Sequence, residues 1–543
     1  AAAMGALGLV SQIAPVGDAT TSMIVLIGLA VGVDYSLFYV RREREERAKG
    51  RSSQRALEIA AATSGRAILI SGSTVIVAMA GMFITGNGVF MGFAVGTILV
   101  VLAAVVASLT VLPAMLAILG DKIDVRLIHG FVRLVTRGRV TWKRRLGGSD
   151  GGGRAWGWIL TRVLRRPLVA TLLAAAALLA LAVPAFGMRT GQPSLTDLSG
   201  DYPIVGTFQR IDDAFPGGNE PASVVVTAPD VTGTAVQQAI TEFRGRALAT
   251  GLANEPVQVQ VNPDRTVAII SIGIGDAEND PDRARAAVTT LREQIVPQTL
   301  EAVPGVRAYI TGSVAGVLDF NRQLARTAPL VFAFVLILAF LLLLSTFRSV
   351  VIAVQAIVLN LLSVAAAYGL IVLVFQDGHG ERLLDFTSTG DIVNWLPLFL
   401  FVILFGLSMD YQVFILSRIR EAYDGGMSTE RAITHGIRSS AGVVTSAALI
   451  MVGVFAVFGT MSLISFKQMG VGLAAAILID ATIVRAVLLP ATMRLFGERV
   501  WYLPTWLGWL PQLSHGEPAQ EGDADGPTPP TPPEAVRESV SVG

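Results

Sequence analysis

Nine apolar runs, each of about the 20 residues that cross a hydrocarbon core as a helix, alternate with polar breaks along this chain. They fall at roughly 20–40, 66–85, 89–119, 167–187, 327–347, 350–375, 392–416, 441–460 and 468–492. Residues 1–11 have the same character and read as the tail of a further span. With no initiator Met and no basic segment ahead of that tail, the chain is expected to begin inside a longer one, not with a signal peptide. The breaks differ in charge, and the difference orients the helices. The 41–66 break carries Arg41, Arg42, Arg44, Arg47, Lys49 and Arg51, and the 120–166 break carries Lys143, Arg144, Arg145, Arg165 and Arg166. Arg418, Arg420, Arg431 and Arg438 lie in the 417–440 break, and Arg348 sits in a short turn. Alternating spans put all of these on one side, the cytoplasm. The 86–88 and 461–466 breaks, which lack Arg and Lys, then fall outside. Residues 50–62 and 426–437 are expected as amphipathic helices on the inner surface.

The period changes between residues 190 and 326, which this alternation places outside the cytoplasm. Ala222–Ala228 (ASVVVTA) reads as a strand and Thr232–Thr250 as a helix. Val257–Val261 and Thr266–Ile274 alternate as two strands around Asn262-Pro263-Asp264. Asp280–Ala302 reads as a second helix and Val306–Thr311 as a last strand. The order βαββαβ is that of a ferredoxin-like unit. The predicted fold is mostly α, a membrane helix bundle with one small α+β domain outside it. Ser514–Gly543, rich in Pro, Glu, Asp and Gly, is expected to be disordered, and Gly147–Gly153 (GGSDGGG) to be a flexible piece of the long inner loop.

The chain also repeats itself. Val33-Asp34-Tyr35 with Phe38 matches Met409-Asp410-Tyr411 with Phe414, an offset of 376 residues. Gly50, Arg55-Ala56 and Gly96 recur as Gly426, Arg431-Ala432 and Gly472, and Leu112-Pro113-Ala114 recurs as Leu489-Pro490-Ala491 with a one-residue slip. Both copies keep one orientation, so the repeat is parallel, about an axis along the membrane normal. The expected organisation is the end of a first repeat at 1–119, a cytoplasmic loop at 120–166 and the first helix of a second repeat at 167–189. The outer domain follows at 190–326, the remaining helices at 327–497, and a cytoplasmic segment with a disordered tail at 498–543. Because the second copy starts near Arg166, the first is expected to start about 210 residues before Ala1, so that an intact protein has about 12 spans and two outer domains.

Composition narrows the chemistry. Only 15% of the 543 residues are charged and 52% are hydrophobic, against about 25% charged in a soluble domain. The 42 basic and 41 acidic residues nearly cancel, which gives no case for nucleic acid as a partner. There is no cysteine, hence no disulfide, thiolate metal site or cysteine nucleophile. His129, His379, His435 and His515 are scattered, and neither a P-loop nor a nucleophile-elbow motif occurs. No cofactor or metal is expected. Asp34 and Asp410, by contrast, stand inside apolar spans, where a carboxylate costs at least about 2.5–3.5 kcal/mol. Such a group gains and loses a proton as its solvation changes. Tyr35 and Tyr411 follow them, and the repeat sets each Tyr where it could reach the other half's Asp. Asp480 and Arg485 add an acid and a base to the last span. Five residues apart on an α-helix, they are about 140° apart and form no same-face pair. The first half has Ala104 and Leu109 there. Arg485 has two open readings, snorkelling at the inner end or serving the acids. Ser71, Ser73, Thr74, Thr445 and Ser446 are expected to bond the backbone of their own helices, and Gly28, Gly32, Gly92, Gly96, Gly470 and Gly472 to serve close packing. Buried acids in a multi-span chain without a nucleotide motif point to ion-gradient energy, worth about 2.3 kcal/mol per charge per 100 mV.

Phe405–Arg420 (FGLSMDYQVFILSRIR), Gly378–Leu384 (GHGERLL), Gly472–Arg485 and Trp501–Trp506 (WYLPTW), with Gly32–Arg41 (GVDYSLFYVR) in the first half, resemble the mycobacterial-membrane-protein-large (MMPL) family of the resistance-nodulation-division superfamily. The resemblance covers nearly all of the chain except the tail. It implies a proton-driven exporter of lipids or other hydrophobic molecules in the cell membrane of an actinobacterium, and not an enzyme. Asp34, Tyr35, Asp410 and Tyr411 would form the proton relay, with Asp480 and Arg485 in support, and the outer domain would be a porter domain that receives lipid. Partners would be the hydrophobic substrate, protons, membrane lipids and a second copy in a homo-oligomer. Multidrug efflux by the same antiport and a non-transporting, sterol-sensing-like membrane module are the alternatives.

Overall fold

A computed structural model describes residues 2–12, 17–119, 150–192, 203–214, 221–274 and 280–509. The expected disordered tail, His129, His515 and most of the long inner loop, including Gly147–Ser149, lie outside the described residues. The chain runs through α1 (Ala2–Val10), α2 (Asp18–Ala48), α3 (Ser53–Ala80), α4 (Gly88–Leu109) and α5 (Val111–Leu119). It continues through α6 (Asp150–Arg165), α7 (Pro167–Ala182), β1 (Thr190–Gly191), α8 (Pro203–Ala214), β2 (Ala222–Thr227), α9 (Thr234–Ala249), β3 (Asn254–Val261), β4 (Val267–Gly273), α10 (Pro281–Thr290) and β5 (Arg307–Thr311). Last come α11 (Ser313–Phe347), α12 (Val350–Ile371), β6 (Ile392–Val393), α13 (Leu396–Asp424), α14 (Thr429–Phe458), α15 (Ile464–Ile479) and α16 (Leu489–Phe496).

Among the described residues nine helices are long and apolar enough to cross a membrane, from Thr20–Ala48 to Ile464–Trp501. Local chemistry sets their ends. The hydroxyls of Ser52 and Ser349 accept from the backbone N–H groups of Arg55 and Ile352, and Asn87 accepts from Val89, so α3, α12 and α4 each start on a capped turn. Gly50 and Gly426, a repeat pair, have φ of +86° and +91° and reverse the chain between successive spans. The bundle is two-fold repeated: a shift of 376 residues carries Ser53 onto Thr429 and Gly88 onto Ile464, the starts of equivalent helices. α2 packs on α14 and α3 on α13. Phe38 and Phe414, equivalent residues, touch each other with ring centroids 5.5 Å apart, which sets them on the repeat axis.

Two expectations about helices are corrected. No separate amphipathic helices occur at 50–62 and 426–437; those segments run directly into α3 and α14, which carry no proline and stay helical through Gly65, Gly436 and Gly442. Gly28, Gly96, Gly470 and Gly472 do lie against neighbouring helices, but a methyl on Gly32 would meet nothing within 4 Å, so close packing does not explain it. The tightest approach was not expected. A methyl on Gly369 of α12 would sit 1.8 Å from the Leu181 carbonyl oxygen of α7. Because that neighbour is backbone, Gly369→Ala is expected to destabilise the protein by about 3 kcal/mol, seen as a lower melting temperature of the purified chain; an unchanged melting temperature would show that α7 moves freely.

The α+β unit has sheet order β3-β4-β2-β5, with every pair antiparallel, the ferredoxin-like arrangement. Val224, Val226, Ile270 and Ile272 point to one face and are fully buried with Phe243 of α9. Several contacts hold the unit to the bundle. Arg292 makes a bidentate pair with Asp319 of α11, at 2.6 and 3.0 Å, and also donates to the Ile310 carbonyl. Gln323 of α11 donates to the Thr85 carbonyl of the first repeat at 2.9 Å. The parallel pair β1–β6 joins the two strands of chain that connect the unit to α7 and α13. The arginine-rich ends gather at the opposite end of the bundle, where Glu46 of α2 is fully buried between Arg42, Lys49 and Arg51 and Arg348 donates to the Gly508 carbonyl at 2.9 Å.

Candidate functional site

The two Asp-Tyr pairs meet in the middle of the bundle. An apolar wall of α2, α3, α13 and α14 surrounds them: Val31, Val75, Val444 and Met451 are each no more than 1% exposed. Asp34 and Tyr35 of α2 and Tyr411 of α13 are buried, at 4%, 2% and 3% exposure. The Tyr411 hydroxyl donates to the Asp34 carboxylate, across the repeat axis. The reciprocal bond from Tyr35 to Asp410 is not made directly. Ser71 of α3 stands between: its hydroxyl donates to the Asp410 carboxylate and lies 3.2 Å from the Tyr35 hydroxyl. One hydroxyl carries one hydrogen, so with Ser71 donating to the acid, Tyr35 donates to Ser71. Each carboxylate therefore holds a hydroxyl from the opposite repeat. Ser71 was expected to bond its own helix, and this is a correction. Ser73, Thr74, Thr445 and Ser446 do behave that way, each donating to the carbonyl four residues back.

Asp480 and Arg485 form an ion pair, with both side chains at most 8% exposed. The expectation of opposed faces fails because Asp480–Leu488 is a π-helix, not an α-helix. Its i→i+5 bonds stack residues five apart on one face. The same turn explains the one-residue slip between Leu112-Pro113 and Leu489-Pro490: the second copy has one more residue, and the wider turn takes it up. The snorkelling reading of Arg485 is also set aside. Its guanidinium is buried, packs 4.8 Å above the Tyr411 ring and donates to the Ser408 carbonyl at 3.1 Å.

Two further residues join this cluster. The Ser408 hydroxyl lies 2.7 Å from the Asp480 carboxylate and 3.0 Å from the Asn360 side-chain oxygen. Asn360 of α12 is buried, and its amide nitrogen has no partner among the described residues. It lines a cavity of about 20 Å³ with Ser408, Tyr411, Asp480 and Arg485, room for about one water. An amide in the apolar run of α12 was a visible sign; Ser408, two residues before Asp410, was not distinguishable from a packing serine. The repeat counterparts of Ser408, Asp480 and Arg485 are Gly32, Ala104 and Leu109, so this extension belongs to the second repeat alone. His379 and His435 lie far from it in the chain, and no group of His, Asp and Glu suited to a metal occurs among the described residues.

A family model described as MMPL family matches residues 1–170 and 197–514. The chain belongs to the MMPL family. With nine candidate spans, this MMPL protein is a multi-pass protein of the cell membrane. It is 37% identical over 524 residues to the mycolic acid-containing lipids exporter MmpL11 of Mycolicibacterium smegmatis, covering 95% of this chain and 53% of that one. It is 35% identical over 533 residues to the heme uptake protein MmpL11 of Mycobacterium tuberculosis H37Rv, covering 96% and 52%. The chain thus spans about half the length of these relatives. Among solved structures, SecDF, a translocon-associated membrane protein from Thermus thermophilus, matches with a TM-score of 0.51 and 15% identity over 87% of this chain and 54% of that one. At that identity the likeness is one of fold.

Proposed function

We propose that this MMPL protein exports lipids or other hydrophobic molecules across the cytoplasmic membrane, driven by the proton-motive force. One observation carries the reading: two acids inside the bundle at equivalent points of the two repeats, Asp34 buried and Asp410 half-buried, each hold a hydroxyl from the opposite repeat. Protonating either carboxylate removes the charge that its hydroxyl partner satisfies, and so changes the bond that ties one half to the other. A proton entering from outside and leaving inside would then switch the packing of the halves and move the outer domain. Asp34 and Asp410 take and release the protons, Tyr411, Tyr35 and Ser71 hand them on, and the Arg485–Asp480 pair braces Tyr411 beside them. The positive-inside bias puts the arginine-rich end in the cytoplasm and the α+β unit outside.

The lipid cargo rests on the exporter that is 37% identical; haem, the cargo named for the second relative, is the competing hydrophobic molecule. Reconstituted vesicles with a fluorescent lipid and with haem test both. An imposed proton gradient should speed lipid movement severalfold over no gradient. Equal rates with and without the gradient, for both cargoes, would overturn the proposal. Ser71→Ala removes the group that, among the described residues, stands between Tyr35 and Asp410 and is expected to slow gradient-driven movement about tenfold, with a melting temperature only slightly lowered by the lost hydrogen bond. Wild-type rates in this variant would take Ser71 out of the path.

A further inference from the structure

α14 is longer than a hydrocarbon core requires. Its 30 residues extend about 45 Å, against a core of about 30 Å, so its first turns project beyond the membrane at the arginine-rich end. The boundary is marked by Trp156 of α6, whose indole N–H donates to the Thr445 hydroxyl at 2.9 Å, a usual interfacial position for Trp. Arg438 is two turns beyond that point, in the headgroup layer. Here an open recess of about 700 Å³ runs along one face of the helix, lined among the described residues by the exposed Arg431, His435 and Arg438 with the hydroxyl-bearing Ser428, Thr434 and Ser439. Glu430, at the same recess, is engaged by Arg494 at 2.7 Å. Among the described residues neither Arg431 nor Arg438 has an ion-pair partner. Arg438 is also placed by packing: its guanidinium lies over Gly157 of α6, where an added methyl would come within 3.3 Å of Nη2.

The first repeat shows the same helix face without such a cluster. In α3, Arg55 stands at the place of Arg431 and pairs with Glu58 at 3.1 Å. Ile59 and Ala62 stand where α14 has His435 and Arg438, and Thr434 replaces Glu58. The second copy thus has its acid at Glu430, where the first has Gln54, and that acid is engaged by Arg494 and not by Arg431 or Arg438; it has also gained His435 and Arg438. Clustered like charges without a counter-ion are unfavourable, and a bound anion relieves that cost. Two guanidinium groups and interleaved hydroxyls suit a phosphate ester, which accepts forked bonds from arginine, and the depth is that of the inner-leaflet headgroups.

We propose that the inner end of α14, with Arg431, His435 and Arg438, binds the phosphate of an anionic inner-leaflet phospholipid. The test titrates the purified full chain in detergent with tail-labelled phosphatidylglycerol and reads fluorescence anisotropy. Phosphatidylcholine and soluble glycerol phosphate are the comparison ligands. The R431Q/R438Q variant is expected to bind phosphatidylglycerol roughly tenfold more weakly or worse, at an unchanged melting temperature, whereas R55Q, at the equivalent place in the first repeat, binds as wild type. Phosphatidylcholine should bind more weakly, and glycerol phosphate at equal concentration should not displace the lipid. Unaltered binding in R431Q/R438Q, an equal loss in R55Q, or displacement of the lipid by glycerol phosphate at that concentration would each overturn the proposal.

Discussion

Replacing Asp410 with Asn in the intact gene is expected to abolish gradient-driven export while leaving the protein folded in the membrane. Asparagine keeps the shape of the side chain and an oxygen that accepts the Ser71 hydroxyl. It can neither gain nor lose a proton. Losing a proton-transfer group costs roughly 100-fold or more in the step it serves, and a stoichiometric carrier has no bypass. Asp34→Asn should do the same, because Tyr411 keeps its acceptor. The sign of the stability change separates a relay from a helix tie. A buried amide is cheaper to desolvate than a carboxylate, so both variants should melt at or slightly above the wild-type temperature. Export and proton flux, measured together in cells carrying each variant, decide the matter. Wild-type levels of both in the two variants would remove Asp34 and Asp410 from the mechanism.

Replacing Arg485 with Met is expected to be the most destabilising single change at the site. Arg485 is the only ion-pair partner of Asp480 among the described residues, and the pair is buried. Removing one member of such a pair costs about 3–5 kcal/mol, because the other charge stays buried and uncompensated. The cation above the Tyr411 ring adds up to about 2 kcal/mol when desolvated. The double variant Asp480→Asn with Arg485→Met should recover most of this loss, since a neutral pair needs no counter-charge, yet transport should stay low. Melting temperatures of the single and double variants measure the effect. A single variant as stable as wild type would mean that Asp480 does not depend on Arg485.

How much of this was visible in the sequence depends on which physical rule each feature obeys. The spans, the basic end and the four-strand unit follow strong periods and charge patterns, but the starts of α3 and α14 at Ser53 and Thr429 did not show, because the polar first turns of each helix read as separate from its apolar run. Asp34, Tyr35, Asp410 and Tyr411 stood out because polar groups in apolar runs are costly. The Asp480–Arg485 pair was hidden because the α-helical angle between them is wrong and only a π turn corrects it. The one-residue slip at Leu489 was the clue to that turn. Ser71 could not be told from Ser73 and Thr74, since the choice depends on how α3 is rotated against α13, which only packing settles. The cation cluster at Arg431 and Arg438 read as a solvated face until the recess beside it and its unclustered counterpart at Arg55 were both in view.

α11 runs as one helix from β5 of the outer unit to the far side of the membrane, and it carries Pro329 in its interior. Proline deletes one backbone bond there and makes it the point at which the helix bends most readily. Above it, Asp319 and Gln323 fasten the upper arm to Arg292 of the outer unit and to the Thr85 corner of the first repeat; below it, Val331, Val335 and Ala339 bury the lower arm in the bundle. The helix is thus an elbow with both arms bolted down. A change in the packing of the halves therefore has a direct mechanical route to the outer unit through this one helix, alongside the β1–β6 pair.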